Sequence, residues 1–256
     1  MSSIDKPIYS ALAHLYDHIM NDVDYAYWAE YIDDLMHQHH GNPRFITELS
    51  CGTGSLSIEL MQLGDYQLQA CDASENMVSV AIEKFKQHSL NIPCFVSPFH
   101  DLGNLIQQDV LISVFDSINY LLSKDEILLF FKEAYKVLNN NGLLIFDFST
   151  PKNSREAVQH LNELEGEYRG LYYYRSSNYN PKSKIHTNKF EISDKLRDPK
   201  HIFVEEHNQR AYTLPEIKTL LEASELEFVR FFDAFSFHDA TIHSTRITAI
   251  AKCQKE

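Results

Sequence analysis

Residues 45–57 constrain the fold of this chain more than any other stretch. They read as a short apolar strand, a tight turn carrying Gly52 and Gly54, and a helix opening near Ser55. Glycines two apart permit positive φ and let a ligand approach bare main chain where a Cβ would collide. The helix that follows presents unpaired N–H groups and the positive end of its dipole, which favour an anionic ligand group. A second strand over 66–71 then ends in Asp72, 20 residues after Gly52. That spacing puts a carboxylate at the tip of the neighbouring strand, where it can accept hydrogen bonds from a ribose diol. Glycine turn and distant acid together describe a nucleoside-binding site.

A dinucleotide fingerprint requires a third glycine three residues after the second, where helix and strand pack closely. Ser57 occupies that position, which disfavours NAD and FAD. A ligand with one carboxylate in place of a pyrophosphate asks less of such a turn, and S-adenosylmethionine meets that description.

At 256 residues the chain can bury one sizeable core or a core with an inserted subdomain. A net charge of −13 with no basic patch argues against an extended polyanion such as DNA or RNA as partner, because phosphate contacts need Lys and Arg. Cys51, Cys71, Cys94 and Cys253 form no Cys-x-x-Cys spacing, and reduced thiols are the simplest inference. No leader and no apolar run of membrane-spanning length is expected, so the reading is a cytoplasmic protein with no membrane partner. His37, His39 and His40 lack a carboxylate or thiol at regular spacing, so they read as a solvated helix end and no metal is expected.

Residues 5–40 carry helical spacing in two pieces, the first with Ile8, Leu12, Leu15 and Ile19, the second with Tyr27, Trp28, Tyr31, Ile32 and Leu35. From 44 to 150, strands near 44–50, 66–71, 93–97, 109–115 and 142–148 alternate with helices near 55–63, 74–87 and 124–139, the pattern of a parallel sheet with helices on both faces. After a short helix near 152–163, aromatic and β-branched stretches at 166–178, 185–194 and 201–212 break the rhythm and predict an antiparallel insertion. The sheet then resumes with a helix over 213–223, a strand over 226–233 and a last strand over 245–252. The expected organisation is an N-terminal helical lid over 1–43, a nucleoside-binding α/β domain over 44–150 and 213–256, and an inserted antiparallel cap over 151–212.

The motifs Ile46-Thr47-Glu48-Leu49-Ser50-Cys51-Gly52-Thr53-Gly54 and Cys71-Asp72-Ala73-Ser74-Glu75-Asn76-Met77 resemble the first two motifs of class I S-adenosylmethionine-dependent methyltransferases. Phe115-Asp116-Ser117-Ile118-Asn119-Tyr120-Leu121, the opening Tyr9-x6-Tyr16-Asp17-x2-Met20 and the segment Gln209-Arg210-Ala211-Tyr212-Thr213 are similar to a bacterial small-molecule subgroup that includes sugar N,N-dimethyltransferases. The resemblance implies a Rossmann-like class I sheet. It also implies that Glu48 and the turn formed by Ser50, Cys51, Gly52, Thr53 and Gly54 hold the methionine part of S-adenosylmethionine, and that Asp72 takes the ribose hydroxyls. Ala73 and Met77 would line the adenine side, Asp101 would accept from the adenine amino group beside the Leu102 N–H, and Phe115 would present its carbonyl to the ammonium. Ser50 departs from the glycine usual in the family, which implies a slightly wider turn or use of its hydroxyl.

Methyl transfer from a sulfonium needs an aligned nucleophile, exclusion of water and a destination for one proton. Tyr9 and Tyr16 are expected to place rings against the cofactor, where a sulfonium gains cation–π attraction of roughly 0.5–2 kcal/mol. Tyr16, Asn119 and Tyr120 are the catalytic candidates, and Tyr16, Asn119, Arg210 and Tyr212 the substrate-contact candidates. His207, His238 and His243 could each serve as a base near neutral pH. The leading function is methylation of N or O on a small molecule by a monomer or homodimer. Methylation of a protein or RNA, and a non-catalytic cofactor-binding interaction protein, are the alternatives.

Overall fold

The computed structural model describes residues 2–105 and 107–255; Met1 and Glu256, the outer ends of the expected segments, lie outside the described residues, as does Ile106. In chain order the elements are β1 (Ser2–Asp5), α1 (Tyr16–Ile19), α2 (Tyr25–His39), β2 (Phe45–Leu49), α3 (Ser55–Leu63), β3 (Gln67–Asp72) and α4 (Glu75–Gln87). Then come β4 (Cys94–Val96), β5 (Gln108–Ser113), α5 (Lys124–Val137), β6 (Leu138–Ser149), α6 (Pro151–Leu161), β7 (Leu164–Tyr168), β8 (Leu171–Asn180), β9 (Ile185–Asp194) and β10 (Asp198–Arg210). The chain closes with α7 (Leu214–Glu222), β11 (Leu226–Asp233) and β12 (Arg246–Cys253).

Seven strands form the main sheet in the order β11-β12-β6-β5-β2-β3-β4. The pairs linking β4, β3, β2, β5 and β6 are parallel, and the inner strands are apolar on both faces. Alternation along each strand divides the core. Leu111, Leu144 and Phe146 pack with α5 and α7 on one face, whereas Val110, Ile112 and Ile145 pack with α2, α3 and Phe85 of α4 on the other. This is a Rossmann-like α/β fold with helices on both faces. Its last strand is a correction to a sheet that merely resumes: β12 runs antiparallel to both neighbours and fills the slot between β6 and β11.

The second sheet has the order β1-β10-β9-β8-β7. The expected single stretch over 166–178 is two strands, because Arg169 (φ 50) and Gly170 (φ 85) form a two-residue hairpin turn with both central residues at positive φ. β9 and β10 are joined by a turn at 195–197, where Asp194 Oδ1 accepts from the N–H groups of Leu196 and Arg197.

The N-terminal stretch is the largest departure. Helical spacing over its first piece yields only a 3₁₀ turn at Leu12–His14 and the four-residue α1. Tyr9 takes φ 58, and the Glu205 carboxylate accepts from the N–H groups of Ala11 (2.6 Å) and Leu12 (3.1 Å), so an acid on β10 replaces helical carbonyls as their partner. Ahead of this, β1 pairs in parallel with β10. Residues 2–5 are thereby stitched to the second sheet. Among the described residues no helix is long and apolar enough to cross a membrane.

Candidate active site

The site lies beyond the carboxyl ends of β2, β3 and β5, where open α/β sheets bind ligands. After β2 the chain turns through Ser50 (φ 53), Gly52 (φ 54) and Gly54 (φ 79) into α3. Ser50 adopts the left-handed conformation that glycine would find easier, and its hydroxyl folds back on the Leu49 carbonyl at 2.5 Å. Gly54 is required by packing: a Cβ there would lie 2.4 Å from the Phe85 ring. At Gly52 the nearest side-chain atom, on Tyr16, is 3.9 Å from such a Cβ, so only the positive φ and the ligand side demand glycine.

Asp72 closes the turn from β3. Its two carboxylate oxygens accept from the N–H of Gly52 (2.9 Å) and of Ser74 (2.8 Å), which fixes the plane of the group and leaves a lone pair on each oxygen. Burial pushes its carboxyl up, and the backbone hydrogen bonds oppose that shift. Glu48 lies deeper, 2% exposed, with the Ser57 hydroxyl donating to it; burial raises its pKa to about 8. The residue in the place of the missing third glycine therefore serves the buried acid.

These groups face one cavity of about 610 Å³, within the range of small-molecule sites. Glu48, Ser50, Cys51, Gly52 and Thr53 form one wall; Asp72, Ala73 and Met77 form a second. Phe115 borders it at φ 61, its ring 4.4 Å from Trp28 and 5.3 Å from Tyr25. With Asp116 also at φ 51, this bend after β5 is strained twice over. It is held by the Asp116 N–H donating to Asp147 (2.7 Å) and by Arg246, whose guanidinium bridges Asp147 and Asp116.

Tyr9, Tyr16 and Tyr120 roof the cavity. The Tyr9 and Tyr16 rings meet edge to face at 5.9 Å, and the Tyr9 and Tyr120 hydroxyls are 2.7 Å apart. Tyr120 also contacts Nδ1 of His207 at 2.9 Å. Burial drives all three phenols above their ordinary range.

Other sequence-derived candidates fall elsewhere. Gly54 packs behind the turn, and the Asp101 side chain is exposed while Leu102 is buried in the core. Asn119 clamps backbone: it accepts from Ser149 N–H and donates to the carbonyls of Ser149 and Arg210. Arg210 lies over the Tyr212 ring, donates to the Leu122 carbonyl and sits 3.6 Å from Glu216; Tyr212 is buried and donates to the Leu121 carbonyl. None of these six residues lines the cavity; apart from the exposed Asp101, they are engaged in packing or at chain joints. His238 and His243 are exposed in the segment between β11 and β12, whereas His207 is buried. Among the described residues no group of His, Cys, Asp and Glu is arranged to hold a metal.

Sequence reasoning missed Asp17, Lys84 and Arg246. Asp17 accepts from Thr53 (2.5 Å) and pairs with Lys84 (2.6 Å), tying α1 to the glycine turn. Charges far apart in sequence give no local signal of such a joint.

Residues 46–142 match the family described as a methyltransferase domain. A crystal structure of an S-adenosylmethionine-dependent methyltransferase from Clostridium acetobutylicum ATCC 824 superposes with a TM-score of 0.79 at 25% identity, covering 96% of this chain and 99% of that one. This chain is an S-adenosylmethionine-dependent methyltransferase. A curated relative from Geobacillus sp. (strain WCH70), named "Putative methyltransferase", is 27% identical over 252 residues, 95% of this chain and 99% of its own length. The sugar N-methyltransferase KedS8 from Streptoalloteichus sp. ATCC 53650 shares the fold, with a TM-score of 0.72 at 15% identity over 94% of this chain and 93% of its own.

The cavity of this methyltransferase fits its cofactor. A diol, an amino-acid end and a positive sulfur call for an acceptor carboxylate, a paired acid and helix N-terminus, and electron-rich rings. Asp72, Glu48 with the start of α3, and Tyr9 with Tyr16 offer those groups around one space.

Proposed function

We propose that this methyltransferase transfers the methyl group to N or O of a small-molecule acceptor. The observation that carries the reading is the cover over one side of the cavity: β1 is zipped to β10, Glu205 holds the amides of Ala11 and Leu12, and the tyrosine roof lies beneath. An RNA stem or a folded protein approaching from that side would have to displace the stitched segment, whereas a small acceptor needs only the cavity itself. KedS8, which shares the fold, is a sugar N-methyltransferase, in line with the same acceptor class.

In this reading residues 44–150 and 213–256 form the cofactor floor, 151–212 the cap and 1–43 the lid. Asp72 orients the ribose, Glu48 and the turn at Ser50, Cys51, Gly52 and Thr53 hold the amino-acid end, and Ala73 and Met77 flank the base. Phe115 limits the cavity where the methyl group would lie, with Tyr16 and Tyr120 on the acceptor side. S-adenosylmethionine supplies, when bound, a methyl group whose bonding electrons leave with sulfur. The protein's task is alignment and exclusion of water, and orientation alone is worth roughly 7–11 kcal/mol.

Calorimetry with S-adenosylhomocysteine on the wild type and Asp72→Ala tests the floor; binding unaffected by the change would refute the assigned pocket. Transfer of labelled methyl to a panel of amines, phenols and hydroxy compounds tests the acceptor class, with total RNA and protein as competing arms. Incorporation confined to either macromolecule would overturn the small-molecule reading.

A further inference from the structure

An amine or hydroxyl that gains a methyl group carries a proton that must go somewhere. Side chains from three separate segments meet at the roof and lead away from it. Tyr120, which faces the cavity, contacts Tyr9 on one side and Nδ1 of His207 on the other, at 2.7 and 2.9 Å. His207 is 2% exposed, and its Nε2 lies 3.5 Å from Oε2 of Glu205, an ion-pair separation at the outer edge of hydrogen-bond length. Among the described residues neither of those two atoms has a formed hydrogen bond, so each is aimed at the other alone.

Glu205 is fully buried, and its second oxygen accepts from Ala11 N–H, Leu12 N–H and the Ser10 hydroxyl at 2.6, 3.1 and 3.0 Å. Burial alone would push its carboxyl up, yet His207 and these donors hold it below the ordinary range, so it stays ionised. A buried carboxylate oxygen facing only an imidazole nitrogen is costly unless that imidazole can become positive. The other titratable or charged groups around His207 are Tyr9, whose ring is 4.7 Å away, Tyr120, and Arg175 of β8, which donates to Asn188 and lies 5.2 Å over Phe190. Arg175 feels the Asp116 carboxylate electrostatically, and Glu205 is the carboxylate that lies against His207.

We infer that Tyr120, His207 and Glu205 form a proton relay for the acceptor. The acceptor's N–H or O–H bond breaks toward the heteroatom, and its proton passes to the Tyr120 oxygen as the Tyr120 hydroxyl proton passes to His207 Nδ1. The imidazolium so formed is held by Glu205, and Tyr9 donates its hydroxyl to the Tyr120 oxygen throughout. Tyr120 is the catalytic residue; His207 acts through it and is a positioning residue. The acceptor class follows: an amine, phenol or alcohol that has a proton to lose, not a tertiary amine or a thioether.

This relay rests on the small-molecule reading above, and its test separates the two. In the full chain saturated with S-adenosylhomocysteine, ¹⁵N-imidazole NMR is expected to find His207 protonated at Nε2 and bare at Nδ1, with the Nδ1 resonance moved in Tyr120→Phe. With an amine or phenol from the panel, His207→Gln and Tyr120→Phe are expected to lower kcat roughly 100-fold. In His207→Gln, KM and S-adenosylhomocysteine affinity should stay as in the wild type, so that the loss is confined to kcat; in Tyr120→Phe, S-adenosylhomocysteine affinity should stay. A proton on Nδ1, or a His207→Gln variant that keeps the wild-type kcat, would overturn the relay. Failure of the wild type to bind S-adenosylhomocysteine would instead sink the assigned pocket, and the NMR arm needs no acceptor at all.

Discussion

At the scale of single residues, the site depends on backbone conformations that side chains resist. Gly52 and Gly54 are both left-handed, but only Gly54 has the Phe85 ring within 2.5 Å of a would-be Cβ. Gly52→Ala is expected to cost roughly 1–2 kcal/mol of backbone strain. Gly54→Ala should exceed that, since Phe85 must also be displaced, and paired thermal melts will rank the two. Glu48 makes a pH prediction. Its pKa rises from 4.5 to about 8 on burial, so between those values the folded chain holds a proton that the unfolded chain has lost. Stability from this group therefore falls as pH rises through that window, and Glu48→Gln should flatten the dependence of Tm on pH there. The glycine turn and Asp72 stand out because local spacing marks them, whereas Glu48 is singled out through the family resemblance alone. For Asn119, Arg210 and Tyr212, nothing in their neighbourhood in sequence reveals the hydrogen bonds they make at the joint between β6, the end of β10 and α7.

At the scale of elements, start signals carried well. The capping boxes Ser123–Glu126 of α5 and Thr213–Glu216 of α7 are both formed, the second with Pro215 in its first turn. Thr213→Ala should cost about 1 kcal/mol, read as a lower denaturant midpoint with unchanged slope. The strands β2, β3, β5 and β6 follow their apolar runs closely. What escaped was pairing: β1 is four residues long and owes its existence to the edge of β10, and the antiparallel direction of β12 depends on which slot in the sheet is open. The short first helix has the same cause, because the Glu205 carboxylate that diverts its amides lies 193 residues from Leu12. Glu205→Ala should leave the main sheet intact and raise hydrogen exchange over residues 2–15, where its three donors lie.

At the scale of the whole molecule, cofactor and fold should be linked. A ligand that binds only the folded state at 100 times its Kd adds about 2.7 kcal/mol, and each kcal/mol moves the melting point of a chain this size by about 2–4 °C. S-adenosylhomocysteine is therefore expected to raise Tm by roughly 5–10 °C in the wild type and to leave Asp72→Ala close to its unliganded value. The slot taken by β12 has a different consequence, one for the order of assembly. Leu143 to Ser149 of β6 wait about a hundred positions for the segment that covers their flank, and β11 emerges earlier with no partner of its own. A nascent chain halted before residue 246 would display two raw strand borders at once, inviting clumping or capture by chaperones until the final piece slides between them.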